Sequence, residues 1–200
     1  MNKRLGHSVV AAAAAMLLLA GTAAAAELRY DYAELRYVDA EIDGNGGGDL
    51  NGDGFEFGGS LEIADNIHLF GSYQALDFDG NVDTSALELG AGYMVPVAPS
   101  ADLVARISYI DGEVDAGFAN VDDSGIGLSA GFRKLFTSQF EGRAFINHVD
   151  LDESGNSTSV ELAGDYYFNP QFAAGLSLEF GDDETAIGIG GRYFFGRSVR

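Results

Sequence analysis

From Leu28 onward the chain alternates with a period of two. Leu103, Ala105, Ile107 and Tyr109 fall on one parity, Arg106 and Ser108 on the other. Successive side chains of a strand point to opposite sides of a sheet, so this pattern predicts strands with two unlike faces. Ten segments carry it, approximately over residues 28–40, 55–64, 67–76, 84–95, 101–110, 124–134, 140–149, 159–168, 172–180 and 186–195. The second face mixes glycine, serine and charge, as in Gly125, Gly127, Ser129, Gly131 and Arg133. Two registers are ambiguous: Tyr30 and Tyr32 share the parity of Glu34 and Arg36, and Phe70 falls with His68, Ser72 and Gln74.

The connections alternate in kind. Ala64-Asp65-Asn66, Pro96 to Ser100, Phe136 to Gln139 and Asn169-Pro170-Gln171 read as short turns. Between them lie longer segments, 41–54, 77–83, 111–123, 150–157 and 181–185, with 18 acids and no Lys or Arg. Sequential hairpins with one set of ends tight and the other long and acidic describe an up-and-down meander.

Residues 1–26 stand apart. Lys3 and Arg4, the apolar run Val9 to Ala20, and Ala24-Ala25-Ala26 before Glu27 make a secretory signal peptide with its cleavage site. Twelve apolar residues are too few to span a bilayer as a helix. The barrel domain is then expected over 27–200. Loss of Lys3 and Arg4 leaves 9 bases against 31 acids, a formal charge of −22. That charge excludes nucleic acid as a partner, because such binding neutralises phosphates with Lys and Arg. The chain has no cysteine, so an oxidising compartment is not used for stapling. Its 14 Phe and 9 Tyr exclude a disordered acidic chain.

A soluble barrel would bury the apolar face, whereas a transmembrane barrel turns it to lipid and fills the lumen with polar groups. Aromatics near strand ends, Tyr93, Tyr109, Tyr166-Tyr167-Phe168 and Tyr193-Phe194-Phe195, match an interfacial girdle. Segments of about nine to twelve residues suit a tilted crossing of the hydrocarbon layer. The ending Gly190-Gly191-Arg192-Tyr193-Phe194-Phe195 resembles the closing-strand signal of bacterial outer-membrane barrels. With "HLFGSY", "LGAGYMVPVAPSADLVARISY" and "FEGRAF", the chain resembles a family of small outer-membrane barrels known from xanthomonads, and more broadly the OmpA and OmpX barrels, which have eight strands. The resemblance implies the cell outer membrane, contact with its lipid and lipopolysaccharide, and recognition of the last strand by the barrel-assembly machinery. Gly196 to Arg200 extend past the usual terminal Phe.

Candidate chemistry is sparse. Asp49-Leu50-Asn51-Gly52-Asp53-Gly54 opens like a calcium-binding helix–loop–helix, but position twelve of that loop is Ser60 where a bidentate acid is needed, and period two follows. Asn51 to Gly54 reads instead as the tip of a hairpin, and the acidic loops are expected to bind Ca²⁺ or Mg²⁺ only weakly. His148-Val149-Asp150, with Asp77 and Asp79 in a neighbouring loop, comes nearest to a water-activating pair, yet His148 has lipid-facing parity. No catalytic, cofactor or metal residues are assigned.

The parity turns Glu34, Glu56, Glu62, Glu88, Glu141, Glu161, Asp165 and Glu179 inward, with Arg36, Arg106, Arg133, Arg143 and Arg192. Unpaired buried charges are costly, so these groups should form a network that plugs a narrow lumen. The expectation is an all-β, antiparallel, ten-stranded transmembrane barrel with a structural or surface-interaction role and no enzymatic one. A narrow cation-preferring channel and an outer-rim hydrolase are the alternatives.

Overall fold

The computed structural model describes residues 28–43, 49–117 and 119–195. The signal segment 1–26 and the extension Gly196 to Arg200 lie outside the described residues. Ten strands follow in order: β1 Tyr32–Ile42, β2 Leu50–Ala64, β3 Ile67–Phe78, β4 Val82–Ala98, β5 Ala101–Asp115, β6 Asn120–Thr137, β7 Phe140–Leu151, β8 Gly155–Asn169, β9 Phe172–Phe180 and β10 Glu184–Phe194. Each pairs antiparallel with its sequence neighbours, and β1 pairs with β10 from Tyr32↔Phe194 to Ile42↔Glu184, which closes the barrel.

The apolar parity lies outside. Phe57 is 62% exposed and Ile189 58%, while Arg133 and Glu141 of the opposite parity are fully enclosed. Such a molecule is inverted relative to a water-soluble barrel, and its apolar exterior requires lipid. Both ambiguous registers resolve inward. Tyr30 and Tyr32 are buried in the lumen, and the Phe70 ring lies 6.1 Å from that of buried His68. The girdle is correspondingly thinner than expected. Tyr93, Tyr109, Tyr166, Phe168, Tyr193 and Phe195 face out, but Phe194 is fully buried and Tyr167 reaches inward to hydrogen-bond Glu141.

The four short turns each contain two residues, Asp65–Asn66, Pro99–Ser100, Ser138–Gln139 and Pro170–Gln171. Each follows an irregularity in strand register, at Glu62/Ala64, Pro96/Ala98, Leu135/Thr137 and Tyr167/Asn169. An extra residue on one strand sharpens the local twist, which lets a curved wall end in so tight a turn. Asn66 takes the left-handed conformation, at φ 66°, that Asn tolerates better than most residues.

The acidic ends differ from expectation. Most of the residues read as loops are strand, and the described connections there shrink to 79–81, 116–119, 152–154 and 181–183. Acids weaken strand propensity, but two strands already in register continue to pair once they leave the apolar band. Asn51 to Gly54 is likewise not a hairpin tip. It pairs with Glu41 to Val38 inside β2, and the tip falls between Asp43 and Asp49, largely outside the described residues. Gly52 faces inward, where a Cβ would meet the Phe78 ring, so a glycine that looked like turn chemistry makes room in the lumen.

Leu128→Arg should cost roughly 2–4 kcal/mol by placing a charge on the lipid face. Ser129→Arg, one residue on and facing the lumen, should cost less. Refolding yields of both variants in lipid vesicles test the order, which a water-soluble barrel would reverse.

Candidate functional site

The lumen divides into two halves. At the turn end it is packed solid by Leu28, Tyr30, Met94, Val104, Leu135 and Phe145, with Tyr32, Ala173 and Phe194 beside them. Leu28 and Tyr30 precede β1, so the segment before the first strand supplies part of the filling. The Tyr30 hydroxyl donates to Asp102 Oδ2 at 2.9 Å, and the Arg133 guanidinium lies 4.3 Å from the Tyr30 ring centre.

Charged groups are tied into this packing. Arg133 Nε donates to Glu141 Oε1 at 2.8 Å, Tyr167 donates to Glu141 Oε2 at 2.6 Å, and Arg133 also donates to the Arg29 carbonyl. A second network links Arg36 and Arg192 through Glu34 at 2.8 and 2.7 Å, with Glu56 3.8 Å from Arg36. Asp165 lies 3.3 Å from Arg143 and 3.6 Å from Arg192. Four of the five expected arginines are therefore paired. Arg106 makes no ion pair among the described residues; its guanidinium lies 4.5 Å from the Phe145 ring centre and 5.1 Å from that of Phe70.

Above the packed half is a cup of about 730 Å³, lined by Glu56, Glu88, Arg106, Glu161 and Glu179 and, at its mouth, by Asp182, Asp183 and Glu184. Of the residues packed at the turn end, Tyr32 alone reaches its floor. Ser159 Oγ donates to Glu179 at 2.6 Å, while Glu88, Glu161 and Glu179 make no ion pair among the described residues. The lumen is thus a blind cup open at the acidic end.

The outer rim carries a feature that period-two reading alone does not reveal. Asp39, Asp53, Asp77, Asp83 and Asp115 sit directly opposite one another on β1 to β5, and all are exposed. Like charges directly opposite on neighbouring strands destabilise a sheet. The next pair toward the apolar band is Tyr37↔Phe55, and Tyr37 donates to Asp53 Oδ2 at 3.0 Å. Finding this ladder needs the strand register, which sequence spacing leaves open. Higher on the same hairpin, Glu41, Asp43 and Asp49 bring carboxylate oxygens within 4.8 Å of one another.

Asp123 has a different role. It accepts backbone N–H groups of Glu153 and Ser154 at 3.1 and 2.7 Å, and hydrogen bonding from Ser154 holds its carboxyl below the usual range. A carboxyl held low stabilises above its unfolded pKa and loses that contribution as pH falls through the folded value. His148 points outward and shares a 2.9 Å hydrogen bond with Thr158, and it lies on β7, whereas Asp77 and Asp79 belong to the β3–β4 hairpin. The structure thus does not bring His148 onto a strand next to the Asp77 and Asp79 hairpin, as the alternative hydrolase reading would need.

The sequence matches the family described as outer membrane protein beta-barrel domain over residues 10–180. The chain belongs to this family. It is an outer-membrane protein, and its apolar wall sits in the lipid of that membrane. No curated protein matches the sequence. Among solved structures, the β domain of the Bordetella autotransporter BrkA is similar at 12% identity and TM-score 0.52, covering 84% of this chain and 100% of that one. Neisserial surface protein A is similar at 14% identity and TM-score 0.45, covering 84% and 98%. The KdgM porin is similar at 12% identity and TM-score 0.46, covering 82% and 99%. At these identities the likeness is one of fold.

Glu141→Gln leaves the Arg133 charge enclosed without a counter-charge and should cost about 3–5 kcal/mol. Glu56→Gln, at the cup wall, should cost far less, because Arg36 keeps Glu34. Denaturant unfolding in lipid vesicles measures both.

Proposed function

We propose that the protein is a non-conducting, non-enzymatic barrel that strengthens the outer membrane from its external surface. The aspartate ladder of β1 to β5 carries this reading. Its β1–β2 end, Asp39 and Asp53, lies next to Tyr37 and Phe55 at the edge of the apolar band, where lipopolysaccharide phosphates would meet the wall. It climbs from there to Asp115, beyond Asp111 and Glu113 on β5. Two anionic layers can adjoin only through cations. Ca²⁺ and Mg²⁺ take carboxylate and phosphate oxygens alike. The carboxylates of Glu41, Asp43 and Asp49 offer further oxygens on the same hairpin. The plugged lumen supports a structural role over a channel.

The same reading places the acidic end outside the cell and the two-residue turns in the periplasm. It includes export by residues 1–26, removed before Glu27, and delivery to the assembly machinery through the closing strand. Cysteines at Asn81 and Asp183 should react with an impermeant label on whole cells, and cysteines at Asn66 and Ser138 should not. Labelling of Asn66 on intact cells would invert the orientation. In planar bilayers the protein should show no steady conductance; a steady cation-selective current would favour the channel.

Millimolar Mg²⁺ should raise the melting temperature in lipopolysaccharide-containing membranes, and chelator should lower it. An ion that binds only the folded state adds about 1.4 kcal/mol at ten times its Kd. Replacing Asp39, Asp53, Asp77 and Asp83 by Asn should blunt the response and make the variant more stable than the parent in chelator. A melting temperature indifferent to both additions overturns the ladder's role.

A further inference from the structure

The outer wall is not uniformly convex. On the lipid side of β4 to β8 lies an apolar groove of about 630 Å³. One of its rows is Tyr93, Ala105, Ala130, Ile146 and Val160, each directly opposite the next across successive strands. The adjoining row, one step nearer the two-residue turns, is Val95, Leu103, Phe132, Ala144 and Leu162. Ala105, Ala130 and Ala144 make the depression, because they are short where their neighbours are large. Leu162 has outward parity yet is only 5% exposed, so it lies against the groove rather than standing free in the wall.

A cation marks the lower lip. Two residues beyond Phe132 on β6, with the same outward parity, is Lys134, opposite Ala101 and Gly142. Its Nζ lies 5.2 Å from the Phe136 ring centre. Phe136 in turn covers Gly142, where a Cβ would come within 2.6 Å of the ring, and packs against Phe140. The ammonium is therefore held at the edge of the apolar band, on a ring that is itself fixed. Lys3 and Lys134 are the only lysines of the chain, and Lys134 makes no ion pair among the described residues despite the 31 acids. Among the described residues no carboxylate pairs with this cation.

We infer that the groove with Lys134 is a binding site for one anionic glycerophospholipid of the periplasmic leaflet, an acyl chain lying between the alanines and the phosphate on the Lys134 ammonium. Ligand sites are typically clefts of about 300–1,000 Å³, mostly apolar, with a few polar groups that fix orientation. Lipid tails surround the whole barrel, so apolar character alone selects nothing. Selection comes from the depression, which offers a chain more contacts than a flat wall does, and from the charge at headgroup depth. A long lysine stem suits that depth, because it lies along apolar surface while its head reaches the polar layer. The assignment of leaflet rests on the orientation proposed above.

Native mass spectrometry of the full barrel in mild detergent, with phosphatidylglycerol or phosphatidylcholine of identical chains, tests this. One phosphatidylglycerol should be retained, preferred by about fivefold, the value of one lysine at an anionic lipid surface. Lys134→Gln should level the two headgroups. Ala130→Phe, and independently Ala144→Leu, should fill the groove and remove the adduct with either lipid. Heat-modifiable gel migration confirms that each variant is folded. An undiminished preference in Lys134→Gln overturns the site, as do adducts that survive both filling variants. A barrel dimer lost on Ala130→Phe would assign the groove to a second copy and overturn the lipid. Failure of the orientation shows separately, as labelling of the Asn66 cysteine on intact cells.

Discussion

The pairing of β1 with β10 is the interaction on which the remaining structure depends. Hydrocarbon offers no partner to a backbone N–H or C=O, and each group left unmatched there costs several kcal/mol. A sheet of ten strands left open would present two such edges to lipid. The eleven paired positions from Tyr32↔Phe194 to Ile42↔Glu184 remove both. Closure also fixes the inside. A ring of ten strands is narrow, and alternate residues of every strand must share its axis. Glycine and serine at many inward positions are the consequence, and they give Phe145, His68 and Phe78 somewhere to go.

That narrow interior explains the division of the lumen. At the turn end, tyrosine and phenylalanine rings occupy the axis, and the charges among them are enclosed in contact with a counter-charge or an aromatic face. Arg133 illustrates the economy of the arrangement, with Glu141 on one side, the Tyr30 ring on another and the Arg29 carbonyl on a third. Toward the acidic end Phe78 packs with Val38, Ala40 and Leu76 on one side, while solvent enters the cup beside them. Carboxylates such as Glu88 and Glu161 stand at its wall with no ion pair among the described residues. One barrel thus holds a rigid stopper and a hydrated cup in series. Its outward chemistry belongs to the cup and the rim above it.

Much of this was legible in the alternation of the sequence. The ten strands, the two faces and the tight turns follow from period two and from Asn, Pro and Ser at the turns, because lipid and lumen impose opposite requirements on successive residues. Three things were not legible. Gly52 and Gly54 look like turn residues, since sequence does not distinguish a glycine that bends the chain from one that clears space for Phe78. Tyr167 and Phe194 look like girdle aromatics, because adjacent aromatics of both parities occur together and only register separates them. Asp39, Asp53, Asp77, Asp83 and Asp115 are scattered over 77 positions. Only the strand pairing reveals them as neighbours, so the candidate rim site is a property of register rather than of any motif.

The stopper has a consequence for how the molecule is made. Tyr30 comes before the first strand, yet it is held by Asp102 from β5 and Arg133 from β6, and the hydrogen bond from Arg133 to Arg29 joins residues 104 positions apart. Glu62 of β2 donates its N–H to Asp31 and the His68 ring of β3 lies 4.9 Å from that of Tyr30, so the early strands offer residues 30 and 31 only part of their setting. The rest of the cradle exists only once the middle of the wall has formed, and Phe194 beside them arrives with the last strand. Contacts this distant in sequence form late and slow the approach to the native state. Sealing the seam and seating the stopper therefore coincide, so that the last strand to pair also completes the filling of the lumen.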